Sequence, residues 1–290
     1  MSSFLFFSLA TQKLFLEKVE SSVQKQIKKT FNRDSLKELR RHLVEPELTS
    51  ILQLIQGINE EKLFVYPTDT IFGLGTSIFS YQGTKRLFSL KRRPENLPLS
   101  LCVPSKEAIY TLTSPGALAK KMISLFLPGP ITLVLKARTS FWKEVPSTRF
   151  FLKNGKVGIR LLPDPFFNAL LHFTGPVSTT SANLHGKPSP SSFLSIVETL
   201  GKEVDYYTFW FTVNKPLPRQ KESFLKKCFE KLESYLYKEE KTSSEKIELR
   251  ELTRGQQIAS TVVEIEENQL RILREGAISG KEIEAKIYGR

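Results

Sequence analysis

Short apolar runs bounded by turn residues recur along the chain, and between them Leu, Ile, Val and Phe return every three or four positions. The short runs predict strands at 62–66, 99–103, 131–136, 156–161 and 176–180. The first stops at Pro67, and the Thr68-Asp69-Thr70 and Gly73-Leu74-Gly75 that follow are expected to interrupt regular structure. Helical spacing covers 80–91 and 116–126, the latter ending before Pro128-Gly129-Pro130. Strands joined through helices or loops predict an α/β protein, a mixed sheet with flanking helices, rather than an all-α or all-β body.

The flanks read differently. Residues 11–45 mix Leu, Phe and Val with Lys and Glu at helical spacing and predict an N-terminal helical extension over 1–45. Pro46 marks a boundary, with a helix through Ile51, Leu54 and Ile55 opening a main domain that runs over 46–290. A charged, helix-like run at about 215–254 is expected to be an insertion into that domain. Beyond it, 258–265 and 270–273 predict a hairpin around Glu267-Asn268 that rejoins the sheet.

At 290 residues, 40% hydrophobic and 25% charged, the chain can bury a sizeable core and is too apolar to be mostly disordered. Its formal charge of +13 implies an anionic substrate or partner. Residues 46–200 hold 17 basic and 9 acidic side chains, so the excess is concentrated where the polar motifs lie. Cys102 and Cys228 fit no CxxC pattern, which suggests neither a disulfide framework nor a zinc site, and points to a reducing cytoplasm. The opening MSSFLFFSLA has no basic n-region and is too short to span a bilayer, so no membrane role is expected.

Four segments carry candidate chemistry. Tyr66-Pro67-Thr68-Asp69-Thr70 through Gly75 puts hydroxyls and flexible backbone just after a strand, where open sheets bind ligands; a turn that satisfies its own backbone explains the same residues. Lys91-Arg92-Arg93-Pro94 gathers three cations at a helix end, suited to phosphate oxygens or to plain solvation. Arg160 stands alone in the apolar strand Val157-Gly158-Ile159-Arg160-Leu161 and needs an anionic partner, either a ligand carboxylate or an internal Asp or Glu. Ser178-Thr179-Thr180-Ser181-Ala182-Asn183, with Gly186-Lys187-Pro188-Ser189-Pro190 after it, lets an anion approach backbone N–H groups closely. His172 and His185 form no recognisable triad with Ser181, which argues against acyl-enzyme chemistry, and no metal-ligand cluster is expected.

The order of these segments, with Pro128 to Thr132, Ser260 to Val263 and Leu273 to Gly276, resembles the YrdC-like family of L-threonylcarbamoyladenylate synthases over roughly 46–200 and 255–285. The resemblance implies a twisted α/β sheet with a basic groove, and a nucleotidyltransferase reaction. In it, L-threonine, bicarbonate or CO₂ and ATP, with Mg²⁺ accompanying the ATP, become threonylcarbamoyl-AMP and pyrophosphate for tRNA modification. It assigns Thr70, Arg160, Thr179 and Ser260 to threonine; Arg93, Ser181, Ser189 and Arg274 to the nucleotide; and Lys91 with Arg93 to catalysis at the phosphates. A tRNA or a downstream threonylcarbamoyl transferase is the implied partner. Leu97, Cys102 and Ala259 depart from the Asn, His and Glu common in that family. The alternatives are a non-catalytic RNA-binding protein of the same fold and a carbamoyl-transfer enzyme.

Overall fold

In the computed structural model, which describes residues 3–7, 11–16, 49–210, 258–267 and 269–289, all seven expected strands form and three unexpected ones join them. In chain order they are β1 (Ser3–Phe7), β2 (Phe64–Tyr66), β3 (Gly73–Gly75), β4 (Ser100–Cys102), β5 (Ile131–Lys136), β6 (Lys156–Arg160), β7 (Val177–Ser181), β8 (Tyr206–Trp210), β9 (Thr261–Glu266) and β10 (Gln269–Arg274). They make one sheet ordered β1-β8-β2-β3-β7-β4-β6-β5-β9-β10. The pairs β1–β8, β2–β8, β4–β6 and β5–β9 are parallel and the others antiparallel, so the sheet is mixed, as expected.

The helices are α1 (Thr49–Asn59), α2 (Tyr81–Lys91), α3 (Lys106–Leu112), α4 (Ala117–Phe126), α5 (Thr139–Trp142), α6 (Pro165–Thr174), α7 (Phe193–Leu200) and α8 (Gly280–Tyr288). Side-chain caps fix several starts: Ser80 accepts from the Gly83 N–H at 2.8 Å and Asp164 from the Phe167 N–H at 3.0 Å. Asp164 also accepts from the Trp210 indole at 2.7 Å, tying the start of α6 to the end of β8.

The period-two pattern of the strands divides the interior into two cores. On β2, Val65 packs into one, and Phe64 and Tyr66 into the other; on β8, Tyr207 and Phe209 part from Trp210 in the same way. The second core is largely aromatic, with Tyr66 stacked 4.6 Å from Phe167 and Phe166 set edge-on to Trp210 at 5.1 Å.

Two expectations are corrected. Gly73-Leu74-Gly75 does continue as a regular element: it is β3, antiparallel to both β2 and β7. Glycine is what permits it, because a Cβ on Gly73 would sit 2.6 Å from the Tyr66 ring and one on Gly75 would strike the Ser178 carbonyl oxygen. The N-terminus is not a purely helical extension either. Ser3–Phe7 is an edge strand parallel to β8, and Leu5, Phe7 and Phe15 are buried in the aromatic core, because burying these apolar side chains outweighs leaving them wet. Residues 11–16 are helical as expected. The rest of the extension, the Pro46 boundary and the 215–254 insertion lie outside the described residues.

Candidate active site

Strands β4, β6, β7 and the β9–β10 hairpin line a cavity of about 440 Å³, within the range of small-molecule sites. Arg93, Arg160, Thr179, Ser181, Ser260 and Arg274, chosen from the sequence, all line it. Thr70 reaches it through Arg160. Lys91 and Ser189 are not among the lining residues.

Arg160 ends β6, whose apolar neighbours draw the strand inward and leave the residue only 6% exposed. Its Nη2 donates to Asp69 Oδ1 at 2.6 Å and to Thr70 Oγ1 at 3.2 Å, while its buried Nε has no partner. The internal-acid alternative is therefore realised in part: Asp69 holds Arg160, yet donor capacity remains. Burial pushes the Asp69 carboxyl up from its ordinary value and the Arg160 charge opposes that rise. Thr68 braces the turn, accepting from the Thr70 N–H at 3.0 Å and donating to the Ile71 carbonyl at 2.6 Å.

On the hairpin side, Arg274 reaches back to the Ser260 carbonyl with Nη2 at 2.7 Å and to its hydroxyl at 3.2 Å, and Ser260 Oγ lies 2.9 Å from Thr132 Oγ1. A break in the β9–β10 register between Ile272 and Arg274 accompanies this turn inward. Burial first, then the Arg160 charge, lowers the Arg274 guanidinium from its ordinary value. Arg93 donates to the Leu97 and Pro98 carbonyls at 3.1 and 3.0 Å, and burial lowers it too.

Lys91, the last residue of α2, is 1% exposed and points beneath the end of β7. Its ammonium donates to the Ser181 and Asn183 carbonyls, each at 2.5 Å, and to Asn183 Oδ1 at 3.1 Å. Ser181 Oγ donates to the same Asn183 oxygen at 2.5 Å. Burial, with Arg93 adding to it, lowers Lys91 to about 7. The lysine holds the wall that presents Ser181.

Six cationic side chains line the cavity (Arg93, Lys153, Lys156, Arg160, Arg271, Arg274) against one carboxylate, Glu264. Glu264 is already paired with Lys156 at 3.2 Å and Arg271 at 3.0 Å. Lys153 and Lys156 flank a tight turn in which Asn154 and Gly155 both have positive φ (52° and 70°), as an Asn-Gly hairpin turn requires. Sequence reasoning assigned no site role to Lys153, Lys156, Arg271 or Thr132, which line the cavity, nor to Asp69 and Asn183. Asp69 and Asn183 lie inside the candidate motifs, whose assigned roles fall on their neighbours.

A model of the Sua5/YciO/YrdC family, described as "Telomere recombination", matches residues 56–223. The chain belongs to this family. A putative threonylcarbamoyl-AMP synthase of Methanocaldococcus jannaschii is 33% identical over 165 residues, which cover 57% of this chain and 75% of the relative. The threonylcarbamoyl-AMP synthase of Bacillus subtilis is 32% identical over 143 residues, 49% of this chain and 40% of that protein. Among solved structures, Escherichia coli YciO superposes with a TM-score of 0.62 at 19% identity, covering 97% of this chain and 99% of that one. Pyrococcus abyssi Sua5 complexed with L-threonine superposes with a TM-score of 0.60 at 24% identity, covering 82% of this chain and 57% of that one. Both show the shared twisted mixed sheet with flanking helices. The chain thus spans about half the length of its longer relatives.

Within the family domain, the strand-end hydroxyls and arginines are the parts gathered around the cavity. Where the sequence departs from the family pattern, Cys102 sits buried on β4 opposite Arg160 and accepts a hydrogen bond from Tyr66 Oη at 3.7 Å. Ala259 lines the cavity and Leu97 offers its carbonyl to Arg93.

Proposed function

We propose that the protein is a threonylcarbamoyl-AMP synthase, forming threonylcarbamoyl-AMP and pyrophosphate from L-threonine, bicarbonate or CO₂, and Mg-ATP. The product serves threonylcarbamoyladenosine formation on tRNA through a downstream transferase. One observation carries the reading: six cations and a single, already paired carboxylate line one cavity, with the Arg160 Nε unpartnered. Of the six, Arg160 is buried, and a buried cation with an unmet donor at a cavity wall is held for an anion. The names of the curated relatives and the L-threonine complexed with Pyrococcus abyssi Sua5 support the choice of anions.

On this reading Arg160, with Thr70, Thr179 and Ser260 around it, takes the threonine carboxylate and leaves the amine free. The amine adds to CO₂, losing a proton to give the carbamate. A carbamate oxygen then attacks the α-phosphorus, and the bond to the β-phosphate oxygen breaks as pyrophosphate leaves. Arg93, Ser181 and Arg274 hold the phosphates and offset the charge that moves toward pyrophosphate, while Lys91 fixes the Ser181 wall. No protein nucleophile takes part. Among the described residues no group of three or more His, Cys, Asp or Glu could hold a metal. A resident metal does not fit this donor set, and Mg²⁺ is assigned to the ATP as substrate.

Incubation of the purified chain with Mg-ATP, bicarbonate and labelled threonine tests the reading. The expected result is threonine-dependent pyrophosphate and a labelled adenylate. Salt-sensitive RNA binding without either product would support the RNA-binding alternative instead.

A further inference from the structure

Arg160 does more than wait for a carboxylate, because it already holds one. A guanidinium can grip a carboxylate bidentately along two edges, Nε with Nη2 or Nη1 with Nη2, and Nη2 belongs to both. The third edge is blocked by the side chain's own Cδ. In this protein Nη2 is the nitrogen that is taken, by Asp69 Oδ1 at 2.6 Å and Thr70 Oγ1 at 3.2 Å. The Nε beside it is buried and unpartnered, and so is Asp69 Oδ2. The pair is thus half made: one oxygen and one nitrogen meet, and each group keeps a second polar atom with nothing to bond. A settled structural salt bridge buried to this depth would use both. The side chains are 7% and 13% exposed, so water does little to satisfy the remainder.

We infer that Asp69 is an internal placeholder for the substrate carboxylate, competing with it for Nη2 of Arg160. This rests on the assignment of Arg160 to the amino-acid carboxylate. Binding then exchanges one carboxylate for another on the same fork: the incoming group takes Nε and Nη2 together, and Asp69 lets go. The placeholder keeps the buried guanidinium compensated while the site is empty, and it raises the threshold for any anion unable to use both nitrogens. A chloride ion offers one centre to both nitrogens and exchanges with Asp69 less readily than a carboxylate, whose two oxygens match the spacing of the fork.

The competitive and the merely supporting roles of Asp69 differ in sign. Asp69→Asn keeps an oxygen acceptor for Nη2 and removes the charge. If Asp69 competes, L-threonine binds about tenfold more tightly to the variant in calorimetry, on the scale of one charged hydrogen bond. Chloride, which Asp69 keeps out of the wild-type site, then becomes a competitor. If Asp69 only props Arg160 in place, threonine binds equally well or less well, and the inference is overturned. Asp69→Ser serves as the second neutral variant. Should neither fold, ¹³C NMR of wild-type protein with labelled aspartate reads the exchange directly: an Asp69 carboxyl resonance that moves with L-threonine and not with L-threoninol supports it, and one unmoved by threonine overturns it. Wild-type protein that binds no threonine at all would instead remove the assignment of Arg160 on which the inference stands.

Discussion

Lys91, at the end of α2, and Arg160, at the end of β6, are both buried cations, yet their surroundings are opposite. Lys91 spreads its three hydrogens over three neutral oxygens of one loop, so every donor is used. Arg160 faces one carboxylate, keeps Nε without a partner and lines the cavity. A cation whose donors are all satisfied by its own fold shapes a site. A cation with donors left over, at a cavity wall, is available to a ligand. The phosphate role that the sequence suggested for Lys91 is accordingly proposed as indirect, through Ser181 and Asn183, and the direct contacts fall to the arginines.

The contrast can be broken most forcefully at Arg160. Arg160→Ala is expected to weaken threonine binding about 100-fold, the upper range for charged hydrogen bonds. The variant also strands the buried Asp69 carboxylate and so lowers stability by about 3 kcal/mol. Calorimetry and chemical denaturation check the two. Unchanged threonine affinity in a folded variant would return Arg160 to a structural role.

Lys91→Met tests the other side. With the three-oxygen cluster unheld, pyrophosphate release should fall about tenfold and stability by about 2 kcal/mol, as expected when buried acceptors lose their donor. Threonine affinity should stay within about twofold, because additivity holds between groups without shared partners. A turnover loss as large as that of Arg93→Ala, expected at about 10²-fold for a direct phosphate contact, would place Lys91 on the phosphates after all.

The same lysine gives a pH signature. Its proton is released at about 7 in the folded protein and near its ordinary 10.5 in the unfolded chain. Between those values the unfolded chain holds the extra proton, so stability rises with pH across the window and the slope vanishes below it. Lys91→Met should flatten that slope in denaturation curves taken at intervals over the range. Asp69 acts in the opposite sense at acid pH, since its raised carboxyl binds a proton first in the folded state and adds stability as pH falls toward 3.8. The smallest effect is expected at Ser189, half-buried and outside the cavity lining. Ser189→Ala should change the KM for ATP by less than about twofold, within the noise of a surface substitution.

Much of this was legible in the residues themselves. Strand patterns such as 131–136 and the helical spacing of 80–91 report local preferences, which a linear chain states directly. The run of short motifs also located the cavity, because strand ends and the turns after them are where polar groups concentrate on an α/β sheet. Composition showed the basic excess of 46–200 that the cavity's cations express.

What the chain did not state is which polar group meets which. Asp69 and Arg160 are 91 residues apart and Lys91 and Asn183 are 92, and no local rule pairs them. The two strands with the least strand-like setting, β1 in an apolar N-terminus and β3 in a glycine turn, owe their form to neighbours: β8 supplies hydrogen-bonding partners to the first, and the Tyr66 ring and Ser178 carbonyl leave room only for glycine in the second. The sequence determined the elements, the charge and the set of candidate residues. Only the tertiary structure decided that Lys91 is saturated and Arg160 is not, because hydrogen-bond satisfaction is settled by three-dimensional neighbours, and a buried cation's role follows from the donors its fold leaves unmet.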